Sequence, residues 1–479
     1  MNRDHALRLA TGCFDDGQLA QRLAQRVACP SESQNPQAAP QLLEYLQAHL
    51  LPQLETLGFT GEVLDNPLPG QPPLLVATRR EPAARFGVLS YGHGDVVRGY
   101  APQWAEGRDP WALRIEGDRW YGRGTADNKG QHQINLLALE QVLAARGGQL
   151  GFDITLLFEM GEETGSPGLR EFCEAQRERL RADVFIASDG PRVAAATPTV
   201  FLGSRGALNV DLRVALRPGG HHSGNWGGLL RNPGVRLAHA LACLVGPQGQ
   251  ILVDGLRPPP LSAAVRQALA GLQMGQDEGD PAIDTGWGEP GLTPAERVIG
   301  WNAFEVLAFK TGNPDAPVNA IPGYAHAHCQ LRFVVGTDSA QAVAHLRRHL
   351  DAHGFTDVDV ALSGTVLEAS RLDPEDPWVG WALSSVQQST GQRPVLLPNL
   401  GGSLPNDLFS DLLGLPTLWL PHSYPGCSQH APNEHLLGSV ARQALALMAG
   451  IWWDLGEPAA LACVTSRQTA ARSRPAAPG

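Results

Sequence analysis

Short, continuously apolar segments recur along the chain, and each is followed directly by small or polar residues. The segments are FGVLSY, FDITLLF and ADVFIA in the first half, and PVLLP and PTLWLP near the end. Segments this short and this apolar are typical of strands buried on both faces, as in a parallel sheet covered by helices. Between them, residues 129–148 have the periodicity of an amphipathic helix, with Ile134, Leu137 and Leu143 on one stripe. The pattern therefore predicts an α/β fold with a mostly parallel sheet.

A different pattern occupies the middle of the chain. Apolar and polar residues alternate from Leu208 to Val214, and the alternation returns in AHAHCQLRFVVG and DVDVALSG. This alternation is typical of an antiparallel sheet with one open face, and helical patterns near 235–245 and 340–353 would cover the other face. We therefore expect an α+β domain inserted into the parallel-sheet domain. The expected boundaries are 1–206 and 369–455 for the parallel-sheet domain, 207–368 for the insert with a long loop at 255–295, and 456–479 for a disordered tail.

Composition and charge narrow the classes of partner. Of the 479 residues, 43% are hydrophobic and 18% are charged, which is typical of a globular protein. The 37 Lys and Arg against 48 Asp and Glu give a net charge of −11, and this sign argues against nucleic acid. We expect no membrane association, because no stretch approaches the ~18 apolar residues of a membrane span. The seven cysteines are scattered without a CxxC pair, which favours a reducing, cytoplasmic location over a disulfide framework or a thiolate zinc site.

Potentially reactive side chains cluster just after the predicted strands. In open parallel sheets, ligands bind outside the carboxyl ends of the strands, so residues that follow those strands should meet at one edge. A single Asp or Glu at such a position is commonly only a helix cap. Here six residues share this placement: His93, Asp95, Asp127, Glu162, Glu163 and Asp189.

Five carboxylates and one imidazole at one edge would repel one another unless positive charge lies among them. Arg123 and Lys129 are too few to neutralise the group, whereas one or two divalent cations would do so. Carboxylate and imidazole ligands without thiolate suit Zn²⁺, or Mn²⁺ and Co²⁺ less selectively, and an Asp can bridge two ions. Of Glu162 and Glu163, one can bind metal while the other takes a proton from a metal-held water.

A second histidine ligand would complete such a dinuclear hydrolytic site. His422, His430 and His435 lie in a loop rich in Pro and Gly that follows the predicted strand PTLWLP, at the same edge of the sheet. The residues by themselves leave open which of the three binds metal.

Five motifs occur together in this chain. They are HGD at 93–95, GTADNKG at 124–130, EETGS at 162–166, SDG at 188–190 and HAPNE at 430–434. In order and context they resemble the dinuclear zinc peptidase family of clan MH. That family contains carnosinase-type dipeptidases, aminoacylase, acetylornithine deacetylase, succinyl-diaminopimelate desuccinylase and a glutamate carboxypeptidase.

The resemblance implies a role for each residue at the sheet edge. It implies a catalytic domain with an inserted lid or dimerisation domain, two zinc ions per subunit, and Glu162 as the general base. Asp95 would orient His93 from behind, which is the usual support of a zinc-bound histidine. The implied zinc ligands are His93 and Asp189 for one ion, Glu163 and His430 for the other, and Asp127 as the bridge.

Further segments resemble the lid of carnosinase-type members. A lid histidine there polarises the scissile carbonyl, and we assign this role to His222, with His221 as the alternative. Asn319 and Arg332 fall where such lids place substrate-binding groups, and a guanidinium can hold a carboxylate bidentately. A solvent-facing place on a strand is the alternative for Arg332. The loop of Gly401, Gly402 and Ser403 is similar to one that offers backbone N–H groups to the same end of the substrate.

These features predict a metal-dependent hydrolase that cleaves the amide bond of a dipeptide or a related N-acyl amino acid. The resemblance also implies a homodimer through the insert, and it leaves open whether the lid histidine serves its own or the partner subunit. One alternative is an N-acyl amino acid deacylase of the aminoacylase or deacetylase type. Another is a catalytically silent peptide-binding or metal-binding protein, against which Glu162 argues because a binding module needs no general base.

Overall fold

The computed structural model describes residues 2–275 and 280–473. The strands of these residues, in chain order, are β1 (Thr60–Leu64), β2 (Leu74–Arg79), β3 (Gly87–His93), β4 (Arg114–Glu116), β5 (Arg119–Tyr121), β6 (Asp153–Glu159), β7 (Val184–Ala187), β8 (Thr199–Phe201), β9 (Gly203–Ser204), β10 (Gly206–Ala215), β11 (His221–His222), β12 (Ala303–Thr311), β13 (Ala320–Ile321), β14 (Tyr324–Phe333), β15 (Asp359–Leu367), β16 (Ser370–Arg371), β17 (Val395–Leu397), β18 (Thr417–Trp419) and β19 (His435–Leu437).

The α-helices of the same ranges are α1 (Arg3–Asp15), α2 (Gln18–Val27), α3 (Ala39–Glu44), α4 (Leu51–Thr56), α5 (Lys129–Ala145), α6 (Leu169–Ala175), α7 (Ser223–Trp226), α8 (Pro233–Leu244), α9 (Ala263–Leu269), α10 (Pro294–Ile299), α11 (Ala342–Ala352), α12 (Pro377–Thr390), α13 (Gly438–Leu455) and α14 (Pro458–Ser473). None of them has both the length and the apolar character that crossing a bilayer requires.

Eight strands form the central sheet, in the order β1-β2-β6-β3-β7-β18-β8-β17. The run β6-β3-β7-β18 is parallel throughout, β17 is parallel to β8, and antiparallel pairs flank that run. Alternate residues of one strand enter different cores: Val88 of β3 packs into one hydrophobic cluster and Leu89 into the other. Both faces are therefore covered, which explains why these strands are continuously apolar. The predicted α/β fold with a mostly parallel sheet is confirmed.

Helix α5 differs from its prediction. The sequence indicated one apolar stripe, but α5 is buried along nearly its whole circumference, including Lys129, His132 and Gln133. The reason is that α5 packs against β3 on one side and against α1, α2 and α13 on the others. A helix enclosed in this way buries polar residues too, provided that they find hydrogen-bond partners.

The alternating middle segment forms a separate four-stranded sheet, β12-β14-β10-β15, in which each neighbouring pair is antiparallel. Its apolar face, including Val210 and Leu212, packs against α8 and α11. The two helices match the helical patterns expected near 235–245 and 340–353. We keep 207–368 as the proposed extent of the insert.

Two segments are more ordered than the sequence indicated. The expected loop at 255–295 contains helix α9. The expected disordered tail forms helix α14 as far as Ser473, which corrects that prediction, while 474–479 lie outside the described residues. The reason is that Ala460, Cys463 and Val464 lie on one face of α14 and pack into the large core cluster, a stripe hidden among polar residues in the sequence.

Candidate metal centre

Parallel strand ends bring the predicted residues to one edge of the central sheet. His93 is the last residue of β3, Asp189 follows β7, and Glu162 begins a 3₁₀ turn (Glu162–Thr164) that follows β6. Asp127 lies in the loop before α5, and His430 lies in the loop after β18. Because β6, β3, β7 and β18 are parallel neighbours, their carboxyl ends open on the same side.

Asp127 lies between two groups of side chains. Its Oδ1 is 3.0 Å from His93 Nε2, and its Oδ2 is 3.0 Å from His430 Nε2. His430 Nε2 is also 3.0 Å from Glu163 Oε2. Asp127 therefore belongs to two sets of potential metal ligands. One set is His93, Asp127 and Asp189, and the other is Asp127, Glu163 and His430. Within each set the ligand atoms lie within 4.8 Å of one another.

Burial disfavours the ionised form of the carboxylates in this centre. Removal from water raises the pKa of Glu163 to about 7, and repulsion by Asp127 adds to the effect. Burial likewise raises the pKa of Glu162 well above its usual range, against the attraction of His93. For Asp127, hydrogen bonds to His430 and His93 outweigh burial and lower its pKa. Contact with the two imidazoles therefore outweighs burial at Asp127 but not at Glu162 or Glu163.

The donor atoms fit a divalent cation. Asp189 Oδ2 is buried and has no hydrogen-bond partner among the described residues, although it lies 3.4 Å from His93 Nε2. A buried polar atom left unpaired costs about 1–3 kcal/mol, and a cation beside His93 would satisfy it. Carboxylates and imidazoles without thiolate are the ligands of Zn²⁺ in hydrolytic sites.

Asp95 contacts both His93 and the 3₁₀ turn that carries Glu162 and Glu163. It is fully buried, and one of its oxygens lies 3.4 Å from His93 Nδ1. Its two oxygens also accept the backbone N–H groups of Glu162 at 3.2 Å and Glu163 at 3.1 Å. Sequence reasoning proposed the contact with His93 but missed the contact with the 3₁₀ turn, because the backbone N–H groups that donate to Asp95 leave no sequence signal.

Of the three candidate histidines, only His430 reaches the centre. His422 is buried and contacts Ser188 and Asn135, and the Nε2 of His435 contacts the hydroxyl of Tyr424. Position in the loop therefore separates three chemically identical side chains.

Glu434 is a buried residue whose role the sequence did not predict. Its carboxylate pairs with Arg123 at 2.8 Å and accepts the backbone N–H groups of Gly124, Ala126 and Asp127. It therefore holds the loop that carries Asp127. Its position in the HAPNE motif was the available signal.

A cavity of about 400 Å³ adjoins the centre. Arg332 of β14 lies on its wall, and its Nη1 donates to Ser403 Oγ at 2.7 Å. Arg332 has no acidic partner among the described residues, and burial lowers the pKa of its guanidinium. The wall includes Asp127, Glu162, Asp189 and His430 from the centre, together with Gly401, Gly402 and Ser403.

The lid residues His222 and Asn319 do not line this cavity within one chain. Both are exposed, and they lie side by side, since the N–H of Ser223 donates to Asn319 O at 2.9 Å. The reason is topological: they adjoin the start of β14 at Tyr324, whereas Arg332 lies eight residues along the same strand, roughly 27 Å away at ~3.4 Å per residue. His221 belongs to the same short strand as His222.

The sequence profile of the peptidase family M20/M25/M40 matches residues 89–454. The chain belongs to this family. It is similar to the Cys-Gly metallodipeptidase DUG1 of Candida albicans, with 29% identity over 449 residues that cover 87% of this chain and 90% of that protein. It is also similar to the cysteinylglycine-S-conjugate dipeptidase of Corynebacterium striatum, with 27% identity over 367 residues that cover 74% of this chain and 76% of that protein.

The fold of this M20 peptidase is found in solved structures. The dipeptidase Dug1p of Saccharomyces cerevisiae superposes with a TM-score of 0.79 at 21% identity, covering 95% of this chain and 99% of that chain. The family assignment confirms the predicted resemblance and the predicted peptidase enzyme.

Proposed function

We propose that this M20 peptidase hydrolyses the amide bond of dipeptides that carry a free carboxylate. The observation that carries the proposal is a single cavity. Its wall contains Asp127, Asp189 and His430 with Glu162, and also the guanidinium of Arg332, which has no acidic partner among the described residues. The first group suits attack on an amide, and the second suits the anchoring of a carboxylate. The names of the dipeptidase relatives support this class of substrate.

The proposed cofactor is a pair of Zn²⁺ ions per subunit, with Mn²⁺ or Co²⁺ as possible replacements. When bound, such a pair supplies Lewis acidity to the scissile carbonyl and brings the pKa of a water toward ~7. His93 and Asp189 would hold one ion and Glu163 and His430 the other. Asp127 is suited to hold both, because each of its oxygens faces one histidine.

Glu162 is the proposed general base. Its carboxylate lines the cavity, 3.9 Å from His93 Nε2, and the 3₁₀ turn that carries it is held by Asp95. Burial raises the pKa of Glu162, which suits a group that takes a proton from water and returns it to the leaving amine. We propose that Glu163, its neighbour, binds metal instead because it contacts His430.

Arg332 and the loop of Gly401, Gly402 and Ser403 are the proposed carboxylate anchor. Because the guanidinium donates to the Ser403 oxygen, the hydroxyl hydrogen of Ser403 remains available to donate to substrate. An anionic ligand would stabilise the charge of the partly buried Arg332, because this guanidinium has no carboxylate partner among the described residues.

The proposed assembly is a homodimer through the insert. Strand β12 is an edge strand of the insert sheet, and Val306, Leu307 and Phe309 on it are exposed. Exposed apolar side chains on an unpaired edge favour pairing with a second chain. In such a dimer, we propose that His222, or His221, and Asn319 reach the partner's cavity, because they lie far from the cavity of their own chain.

The proposed location is the cytoplasm. All seven cysteines are free thiols, and six of them are buried. Buried, unpaired thiols are typical of proteins from reducing compartments. Solubility of the purified chain without detergent and fractionation of source cells would test this location.

The test is a substrate panel applied to the full-length protein after its metals are counted. We expect at least two metal ions per chain and rapid hydrolysis of free dipeptides, with much slower hydrolysis of the same dipeptides amidated at the carboxyl end. Preference for N-acyl amino acids would instead support the deacylase alternative. Tight binding of dipeptides without turnover would support the silent binding protein.

A further inference from the structure

A second group of side chains that could bind a metal ion lies in the insert, apart from the centre described above. Cys243 lies near the end of α8, His349 lies in α11, and His353 directly follows α11. One donor atom from each of the three lies within 4.8 Å of the others. The two histidines are four positions apart, so a helical backbone places them on one face.

The hydrogen bonds of both histidines leave one ring nitrogen of each available. His349 Nε2 is 2.8 Å from the backbone oxygen of Cys243, and His353 Nδ1 is 2.8 Å from the backbone oxygen of His349. A carbonyl can only accept, so in each pair the ring nitrogen carries the proton. His349 Nδ1 and His353 Nε2 are then unprotonated, and neither has a hydrogen-bond partner among the described residues.

This arrangement is the one that proteins use to prepare a histidine for metal. A ligating histidine usually donates its other N–H to a carbonyl or carboxylate, which fixes the tautomer and the ring orientation. Here such hydrogen bonds fix the tautomer of both rings, which stack with their centroids 4.3 Å apart. The rings must leave this stack before their two acceptor nitrogens can converge on one ion.

The three side chains need only small movements to close on an ion. In a tetrahedral zinc site with Zn–S near 2.3 Å and Zn–N near 2.0 Å, the ligand atoms are separated by about 3.5 Å. His353 is exposed, so its ring can turn out of the stack by giving up its hydrogen bond to His349 O, and the Cys243 thiol now donates to Ala240 O at 3.1 Å. Burial raises the pKa of this thiol, and a cation would release its proton to solvent on binding.

We propose that Cys243, His349 and His353 form an additional metal site in each chain, suited to Zn²⁺ or another thiolate-seeking divalent cation, with water in the fourth position. The site would tie the end of α8 to the end of α11, the two helices that cover the insert sheet. It shares no residue with the Asp127 centre, so it stands or falls independently of the proposed peptidase function.

Co²⁺ distinguishes the proposed site from the Asp127 centre, which is the group His93, Asp127, Glu163, Asp189 and His430. The full-length protein, stripped of metal with a chelator, is titrated with Co²⁺ while the near-ultraviolet sulfur-to-cobalt charge-transfer band is recorded. The Asp127 centre contains no cysteine, so the band reports only a thiolate site. We expect a band that saturates with no more than three added Co²⁺ per chain and is absent from Cys243→Ser.

Two further variants separate a built site from a reactive thiol. His353→Ala removes an exposed ligand and should weaken Co²⁺ binding at the thiolate site by at least about tenfold, whereas His5→Ala, in α1 outside the insert, should leave the titration unchanged. Zn²⁺ added to the metal-free proteins should also raise the Tm of the wild type by more than that of Cys243→Ser. The proposal is overturned if the wild-type protein shows no band, if the band survives in Cys243→Ser, or if His353→Ala binds Co²⁺ as tightly as the wild type.

Discussion

Arg332 and Ser403 join the insert sheet to the Gly-rich loop of the central sheet, through a hydrogen bond of 2.7 Å between Nη1 and Oγ. The two residues are 71 positions apart, and each belongs to a different sheet system. This contact holds the positively charged guanidinium of Arg332 at the wall of the cavity, which is also lined by the proposed metal ligands Asp127, Asp189 and His430. The first prediction follows from it.

Replacing Arg332 should weaken the binding of substrates with a free carboxylate. A hydrogen bond to a charged partner contributes about 1.5–3 kcal/mol, so Arg332→Ala should raise KM for free dipeptides by about 10- to 100-fold. The KM for amidated dipeptides should change little in Arg332→Ala, because these substrates lack the carboxylate. Arg213→Ala, an exposed arginine of the same sheet, is the control. Equal losses for free and amidated dipeptides would refute the anchoring role.

Glu162→Gln should separate metal binding from turnover. The amide keeps the size of the side chain but cannot take a proton, so we expect kcat to fall by about 10²- to 10⁴-fold. The metal content should stay at the wild-type value, as measured by elemental analysis of the purified variant. Glu171→Gln changes an exposed acid of the neighbouring helix and should change neither quantity. Near-normal turnover in Glu162→Gln would remove this residue from the role.

Asp95→Asn should weaken metal binding while the fold remains intact. Asp95 contacts His93 and the backbone of the 3₁₀ turn rather than the cavity, so it is a positioning residue. Loss of such support typically lowers metal affinity by about 10- to 100-fold. Competition with a chelator measures the change. Asp118→Asn, which also removes a carboxylate that accepts a backbone N–H, is the control, and an unchanged affinity in Asp95→Asn would contradict the assignment.

Glu434→Gln should lower the stability of the protein. Burial raises the pKa of Glu434 despite Arg123, so the pair gains little from charge attraction alone. Its removal nevertheless leaves the buried Arg123 without a counter-charge, which costs about 3 kcal/mol in such sites. Urea unfolding of the metal-loaded protein checks this value. Asp15→Asn breaks an exposed pair with Arg442 and should leave the unfolding midpoint unchanged; a similar midpoint for both variants would refute the argument.

Mixing two inactive variants should restore activity if the lid histidine serves the partner subunit. In a mixed dimer of Glu162→Ala and His222→Ala, one site has an intact Glu162 from one chain and an intact His222 from the other. Random exchange makes half of the dimers mixed, so we expect about a quarter of the wild-type activity. Two variants that share one defect, such as Glu162→Ala with Glu162→Gln, provide the baseline. No recovery, with dimers shown by light scattering, would place the histidine in its own chain or outside catalysis.

Much of the centre could be predicted before the fold was seen. His93 ends one buried strand and Asp189 lies two residues after another, and parallel strands end at one edge of the sheet irrespective of the loops. The clustering of Glu162 and Glu163 with them needed only that rule. The surplus of carboxylates then indicated cations, because like charges in a buried place require a counter-charge.

The loop that carries His430 shows why the choice among the three histidines could not be made in advance. Its backbone has left-handed φ values at Ser428, His430 and Asn433, of 57°, 60° and 64°. Asparagine adopts such values readily, but Ser428 and His430 rarely do so unless the surroundings enforce them. The local sequence therefore does not predict the path of this loop. Long-range contacts, including those of Glu434, decide which ring faces Asp127.

The sequence by itself determined the strands of the central sheet and the alternating strands of the insert, because hydrophobic period is a local property. It also determined the edge at which the reactive residues meet and the need for positive charge there, because both follow from strand ends and from a sum of charges. Only the tertiary structure decided which histidine enters the centre, how far His222 lies from the cavity of its own chain, and that Cys243 meets His349 and His353. Each of these depends on the packing of segments distant in the chain, which local spacing does not encode.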